Sequence, residues 1–381
     1  MSQPLKTSII AYAQSLGFER VGVTSADPLE DAGRFLKSWL KNGYAGEMTY
    51  LTKDPERRAS PDRVLPGARS VIALAMNYCN EDLPTKQAKD VGEARVARYA
   101  RGRDYHVVLT KRLDAFIRYL EMLAPIHCFK SYVDTGPILE RPLARRAGLG
   151  FVGKNTMLIT RGLGSWVFLA DVVTTLPLEP DAPDDRNCGT CRLCLDACPT
   201  GALVGPYELD ARRCIAYLTI ESEGSMDPAL RRRTAGWMFG CDICQEVCPH
   251  NRRAQKSSEP AFAGPGAAAS RLAEVLSIET EEEFKARYGG TPFMRAGRAG
   301  LLRNACVAAA VLRRFDVMPL LHRRSVSEEN ALVREHAMWA LEELEESASE
   351  SPVRRGSHSP HCGMRRQPRK IRRRTSAIKP G

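Results

Sequence analysis

The sequence predicts an α+β protein in three consecutive parts, and three observations carry that prediction. Over the first 180 of its 381 residues, helical periodicity alternates with short apolar, β-branched runs. Eight cysteines then crowd between Cys188 and Cys248. Beyond them, apolar residues recur at i, i+3, i+4 and i+7 as far as about residue 350.

In chain order, an opening helix runs to Leu16, a short strand covers Val21 to Thr24, and a helix spans Pro28 to Lys41. An apolar strand follows at Ser70 to Met76, then a helix from Tyr105 to Leu123 and a strand ending near Val133. Pro137 to Ala147 reads as a helix, and strands follow around Met157 and from Trp166 to Val173. The Pro-rich stretch Leu176-Pro-Leu-Glu-Pro-Asp-Ala-Pro183 is the kind that joins domains. These signals divide the chain into residues 1–180, a cysteine module at 181–255, a helical part at 256–350 behind the small-residue linker Ser257 to Ser270, and a tail at 351–381. In the helical part, Gly297 to Arg314 and Glu328 to Leu344 flank a shorter helix, Val317 to His322. Paired helices of this kind are similar to HEAT repeats, although an ordinary helical bundle gives the same periodicity.

The net charge of +11 suggests nucleic-acid binding until it is divided along the chain. Residues 352–381 hold ten Lys or Arg and no acid, so the first 351 account for only +1. A tail of Arg, Ser, Pro and Gly with almost no large apolar residues cannot bury enough surface to fold alone. It reads either as a solvated, disordered extension or as an arm for a phosphate backbone. The longest apolar run, Ala305 to Leu312, is far short of the roughly twenty residues that span a bilayer. Met1 to Phe18 is amphipathic and lacks the features of an export signal. A cytoplasmic protein without membrane attachment is expected, and with no exposed heptad it is expected to be monomeric.

Cys188-x2-Cys191-x2-Cys194-x3-Cys198-Pro199 has bacterial ferredoxin spacing, in which three thiolates hold one cluster and the fourth crosses to another. Its partner is Cys241-x2-Cys244-x3-Cys248-Pro249, with Cys214 upstream supplying the missing ligand. One [4Fe-4S] cluster is thereby assigned to Cys188, Cys191, Cys194 and Cys248, and the second to Cys198, Cys214, Cys241 and Cys244. Zinc also takes four cysteines, but zinc ribbons use two separate knuckles and have no reason for a third Cys at x2 followed by Cys-Pro. The 26 residues between Cys214 and Cys241 exceed what a compact electron carrier needs and are expected to cover a second cofactor or a substrate. Cys79, Cys128, Cys306 and Cys362 have no such spacing and read as ordinary thiols.

Gly148-Leu-Gly150-Phe-Val-Gly153 matches the dinucleotide fingerprint by letter but follows a helix and precedes strands, the reverse of what that motif requires. A close backbone approach to some other cofactor, or a simple turn, fits the context better. Asp134 stands at the end of an apolar strand, ahead of Thr135-Gly136-Pro137. It is either the N-cap of the next helix or a partly buried proton donor with a raised pKa at a cleft. Asp104-Tyr105-His106 and the arginines Arg95, Arg98, Arg101 and Arg103 read as solvated charges, or as contacts to an anion.

Taken together, Val133-Asp-Thr-Gly-Pro-Ile-Leu-Glu-Arg141, Gly148-Leu-Gly-Phe-Val-Gly-Lys-Asn155, Cys198-Pro-Thr-Gly-Ala-Leu203 and Gly240-Cys-Asp-Ile-Cys-Gln-Glu-Val-Cys-Pro249 closely resemble the epoxyqueuosine reductase family over about residues 5–345. The resemblance implies a degenerate nitroreductase-like α/β cobalamin domain, a ferredoxin-like module with two [4Fe-4S] clusters and HEAT-like helical repeats. It further implies reduction of epoxyqueuosine to queuosine at the wobble position of tRNA, the last step in making that base, fed by an external low-potential electron donor. By the same resemblance Asp134 is the proton donor. Cobalamin contacts carry over to Arg57 and Arg58, Arg98, Asp134, Leu158, Leu169, Ala216, Cys241 and Asp242.

The pattern Asp-x-His-x-x-Gly, through which a protein histidine usually holds cobalamin, is absent: Asp104-Tyr-His106 continues as Val-Val-Leu. Two readings compete with the implied one. The first is a related cobalamin-dependent reductase of a small molecule, such as a reductive dehalogenase, and the second is a non-catalytic ferredoxin-type electron carrier. A repeat surface is superfluous for a small substrate, and a 180-residue front domain is superfluous for a carrier.

Overall fold

A computed structural model describes residues 2–80, 93–263 and 271–349. The basic tail, Cys362 within it and the end of the small-residue linker lie outside the described residues. The predicted alternation is present: α1 (Ser2–Ser15), β1 (Arg20–Ser25), α2 (Glu30–Lys41), β2 (Ser70–Asn77), β3 (Arg95–Val96), α3 (Tyr105–Leu123), β4 (Phe129–Tyr132), α4 (Glu140–Arg146), the hairpin β5 (Phe151–Val152) and β6 (Leu158–Ile159), and β7 (Val167–Thr174).

Four of the strands form one antiparallel sheet in the order β1-β2-β7-β4. The central strand β2 is buried along its whole length, as its Ser-Val-Ile-Ala-Leu-Ala-Met-Asn sequence requires of a strand covered on both faces. One face packs Ile72, Leu74, Phe168 and Val172 against Ile9 and Ala13 of α1 and Leu109, Leu113 and Phe116 of α3. The other sets the small residues Ala73 and Ala75 beside Ala144 and Ala147, around α4. Because all the pairings in this sheet are antiparallel, its crossovers place helices without the βαβ units of a doubly wound fold.

The helix expected from Pro137 begins only at Glu140, with Leu139 as its N-cap residue. Val133 ends the strand region, and the intervening loop turns through Asp134 at φ 55°. Asp134 is therefore not a helix cap.

The cysteine module carries α5 (Leu193–Ala197), α6 (Ile215–Ile220), β8 (Trp237–Phe239) and α7 (Ile243–Glu246). Strand β8 pairs in parallel with β3 from the front part of the chain. Behind it, α8 (Leu272–Leu276), α9 (Glu281–Tyr288), α10 (Gly297–Val311), α11 (Met318–Ser327) and α12 (Ala331–Ser349) share one apolar core with Val96, Ala100, Met238 and Phe239. Within that core Glu328 accepts from Arg298 at 2.8 Å and from Arg324 at 2.8 Å, and Arg324 also donates to the carbonyls of Leu276 and Ile278. Arg303, also buried, donates to the carbonyls of Leu218, Ser222 and Gly224, tying α10 to the chain after α6. Burial pushes its pKa down to about 10. Among the described residues no helix is long and apolar enough to cross a membrane.

Candidate active site and cysteine centre

A cavity of about 1860 Å³ opens beside the sheet. Its walls come from α2 (Phe35, Trp39), the segment around Tyr50 and Arg58, the start of α3, the loop 134–142, and Ile220, Glu221, Met294 and Arg295 from the back of the molecule. The segment between Cys214 and Cys241 thus contributes to the wall, as its length suggested.

Asp134 reaches this wall from the loop after β4. Its side chain is 60% exposed, which overturns the expectation of partial burial. The Tyr105 hydroxyl donates to Asp134 Oδ2 at 2.6 Å. Tyr105 is the first residue of α3, and its ring stacks on Phe168 of β7 at 4.4 Å between centroids, which fixes the hydroxyl. Burial, with Asp134 behind it, drives the Tyr105 pKa far up, so the phenol remains a donor.

Asp104 caps α3, accepting from the His106 backbone N–H, and also meets His106 Nδ1 at 2.9 Å. The hydrogen bond to Asp104 raises the His106 pKa against the pull of burial and lowers that of Asp104. His106 Nε2 is buried, has no hydrogen-bond partner among the described residues and lies 3.7 Å from Asp134 Oδ2. The solvated-charge reading of Asp104-Tyr105-His106 therefore fails: these residues are the setting of Asp134.

Two further acids stand behind it. Glu140, first residue of α4, accepts the backbone N–H of Asp134 at 2.8 Å. Burial, reinforced by the charge of Asp134, pushes its pKa up to about 8. Asp171 of β7 is 1% exposed, pairs in register with Ala73 and Tyr132, and among the described residues has no hydrogen-bond partner for either carboxylate oxygen. Burial, then Glu140, raises its pKa well above the ordinary range. Neither acid was singled out from sequence, although a lone Asp inside the apolar run Val167-Phe-Leu-Ala-Asp-Val-Val-Thr174 was a legible signal. Opposite them Arg295 forks onto Glu221 and lies over the Tyr50 ring, and Arg58 donates to the carbonyls of Gly136 and Tyr50 while its buried Nε has no partner.

The eight spaced cysteines form no disulfide among the described residues. The thiols of Cys188, Cys191, Cys194 and Cys248 act electrostatically on one another, as do those of Cys198, Cys214, Cys241 and Cys244, with Cys194 also near Cys244. Burial drives Cys241 and Cys244 upward, so thiolates there need a cationic centre to offset the cost. Among the described residues no three His, Cys, Asp or Glu side chains lie close enough to bind one metal ion. Backbone N–H groups of Lys154 and Ala202 donate to Cys188 Sγ at 3.4 Å and Cys198 Sγ at 3.3 Å.

Lys154 ends the glycine-rich stretch, and its ammonium also holds the carbonyls of Gly189 and Cys191. The stretch thus approaches the cysteine centre instead of a dinucleotide; a Cβ on Gly150 would fall 2.4 Å from the Ile159 carbonyl oxygen. Cys79 and Cys306 are buried and Cys128 is exposed.

Of the predicted cobalamin contacts, Arg58 and Asp134 line the cavity, and Arg57, Arg98, Leu158, Leu169, Ala216, Cys241 and Asp242 are not among its lining residues. Arg57 shares a helical turn, Pro55–Arg58, with Arg58. Leu158 and Asp242 are buried, and Leu169, Ala216 and Cys241 are partly buried. The Arg98 backbone donates to Asp242 at 2.8 Å and its guanidinium lies 4.3 Å over Trp166, while Arg95 lies over Trp237 and pairs with Glu246. Arg101 donates to the Val96 carbonyl. These three arginines are engaged within the protein, which removes the solvated-charge reading for them; Arg103 is exposed.

Comparison with known proteins bears on the same regions. Residues 58–135 match the family "Epoxyqueuosine reductase QueG, DUF1730", and residues 187–251 match a 4Fe-4S double cluster binding domain. The chain is 40% identical over 336 residues to an epoxyqueuosine reductase of Xanthomonas campestris pv. campestris, covering 87% of this chain and 94% of that one. It is 38% identical over 356 residues to the Escherichia coli K12 enzyme of the same name, covering 90% and 91%.

A crystal structure of epoxyqueuosine reductase with an epoxyqueuosine-modified tRNA-Tyr stem loop superposes with a TM-score of 0.84 at 34% identity, over 93% of this chain and 96% of that one. The Bacillus subtilis enzyme, described with its Asp134 catalytic loop swung out of the active site, superposes with a TM-score of 0.83 at 32% identity, over 93% and 96%. By sequence and by structure, over nearly its whole length, this chain belongs to the epoxyqueuosine reductase family of oxidoreductases.

Proposed function

We propose that this protein reduces epoxyqueuosine to queuosine at the wobble position of tRNA, the last step in making that base, with Asp134 as proton donor. The observation that carries the reading is the exposed Asp134 carboxylate on the cavity wall, oriented by Tyr105 at 2.6 Å. Two electrons and two protons convert the epoxide into an alkene and water. Asp134 gives a proton to the departing oxygen, Tyr105 fixes the carboxyl, and His106, held by Asp104, stands ready to restore the proton. The modified base enters the cavity extruded from its loop, as bases do when chemistry is done on them.

The two [4Fe-4S] clusters are assigned to Cys188, Cys191, Cys194 and Cys248, and to Cys198, Cys214, Cys241 and Cys244, and they draw electrons from an external low-potential donor. The two thiol groups and the backbone N–H groups aimed at sulfur support that division. The cavity also suits cobalamin: about 1860 Å³ exceeds the 300–1,000 Å³ or so of ordinary ligand pockets, and Arg58 keeps an unpartnered buried donor on its wall. Arg58 and Asp134 would meet it on that wall, whereas Arg57, Arg98, Leu158, Leu169, Ala216, Cys241 and Asp242, which the family resemblance also names, are not among the lining residues. Bound there, cobalamin supplies a strongly reducing centre that accepts electrons singly, as clusters deliver them. The missing Asp-x-His-x-x-Gly pattern is in keeping with a cobalamin that takes no protein histidine.

The domain reading follows: a nitroreductase-like cobalamin domain at 1–180, the ferredoxin-type module at 181–255 and HEAT-like helices at 256–350, in a cytoplasmic monomer. The test is nucleoside analysis of epoxyqueuosine-containing tRNA incubated with anaerobically purified protein and a low-potential reductant. Queuosine is expected with the wild type and not with D134N at unchanged iron and corrinoid content. Queuosine formation by D134N at the wild-type rate would refute the role of Asp134.

A further inference from the structure

Asp134 sits in a loop with little of its own to hold it. Its φ of 55° is in the left-handed region, which costs a non-glycine residue about 1 kcal/mol or more. The loop is pinned from outside at three points: Tyr105 on the Asp134 carboxylate, Arg58 on the Gly136 carbonyl, and Glu140 on the Asp134 amide. Of these only Glu140 grips the backbone of the acid itself.

The surroundings of Glu140 are unusual for an acid. No ion pair to it is formed among the described residues. Asp134 faces it from the loop, Tyr105 and His106 from α3, Asp171 from β7, and Arg141 is its neighbour on α4. Asp171 is fully buried and, among the described residues, neither of its oxygens has a hydrogen-bond partner, so it is built to stay protonated.

We infer that Glu140 is the latch of the catalytic loop: as a neutral carboxyl it accepts the Asp134 amide and keeps the loop on the cavity wall, and on losing its proton it repels Asp134 and lets the loop go. Glu140 is a positioning residue that acts through Asp134. Its effect on turnover rests on the reading of Asp134 as proton donor, whereas its effect on the loop does not. An ionised carboxylate by itself accepts an amide N–H more strongly than a neutral one, but repulsion from the Asp134 charge acts on Glu140 more strongly than that hydrogen bond, which sets the release near pH 8, at the alkaline edge of the physiological range.

The test is amide hydrogen exchange over residues 133–139 of the holoenzyme, corrected for intrinsic rates, at pH 6.5 and pH 9. One lost hydrogen bond corresponds to about three- to tenfold faster exchange. In the wild type that loss is expected on going to pH 9. E140Q, whose amide oxygen still accepts but cannot ionise, is expected to stay protected at both values, and E140A to be unprotected at both.

Single-turnover rates are expected to follow: an alkaline limb in the wild type, none in E140Q, and in E140A a lower rate at unchanged tRNA affinity. Equal exchange in the wild type and E140A, or an alkaline loss in E140Q matching that of the wild type, overturns the latch. If E140A does not fold, the E140Q comparison decides alone. Wild-type turnover by D134N would sink the proton-donor reading while leaving the exchange result intact.

Discussion

Glu328 and Glu140 are two enclosed glutamates whose surroundings push them in opposite directions. At Glu328, burial works against the charge, but hydrogen bonds and charge from Arg298, with Arg324 behind it, win and hold the carboxyl below its ordinary range. At Glu140, burial is joined by the repulsion of Asp134, and Arg141 and His106 do not offset the two. The helical core spends its buried charge on mutual satisfaction, which fixes helix positions. Around Asp134, His106 Nε2 and both Asp171 oxygens have no hydrogen-bond partner among the described residues. Buried groups left incomplete in this way are where protonation is set by environment and can be used in chemistry.

That contrast can be broken from either side. The largest effect is expected from D134N, which removes the proposed general acid and should cost about 10²–10⁴-fold in tRNA turnover with protein stability unchanged. Next comes E328A, which strands the buried Arg298 and Arg324 and should cost about 3–5 kcal/mol in denaturant unfolding while leaving cluster content intact in the folded fraction. If E140A cost as much stability as E328A, the two glutamates would not differ in kind.

The pH dependence of stability sharpens the comparison further. Glu140 ionises near 8 in the fold against an ordinary 4.5, so its contribution is complete below 4.5 and is lost as pH rises through 8. Glu328 is shifted the other way, so its contribution is present above its ordinary range and lost as pH falls through its folded value. E140Q is expected to flatten the decline of the melting temperature between pH 5 and 9, and E328Q the decline in acid. The smallest effect belongs to R34A: Arg34 pairs with Asp31 and Glu30 on a solvated face of α2, and its loss should change stability by about 0–1 kcal/mol.

The cysteine module was legible because its chemistry is written in consecutive spacing; only Cys214 had to be sought at a distance. The strands Ser70–Asn77 and Val167–Thr174 and the helix Tyr105–Leu123 were legible because unbroken apolar or periodic runs leave few alternatives. The cavity was not. Its wall draws Tyr50, Tyr105, Asp134, Glu221 and Arg295 from five separate stretches, and nothing local in the sequence announces that they converge.

The N-cap alternative for Asp134 arose because Thr-Gly-Pro looks like a helix start. The chain instead spends the residues up to Leu139 on a loop that begins in a left-handed turn. The arginines at 95, 98 and 101 looked solvated because sequence shows their charge but not Trp237, Trp166 and the Val96 carbonyl that receive them.

The pairing of β3 with β8 joins residues 95–96 to residues 237–239 across some 140 positions of chain. During synthesis the segment around Val96 must wait, its edge unpaired, until Phe239 has cleared the ribosome. A polypeptide stopped after the sheet would carry the donor half of that pairing and never its acceptor, so the front of this molecule cannot be cut from the rear without leaving that edge open.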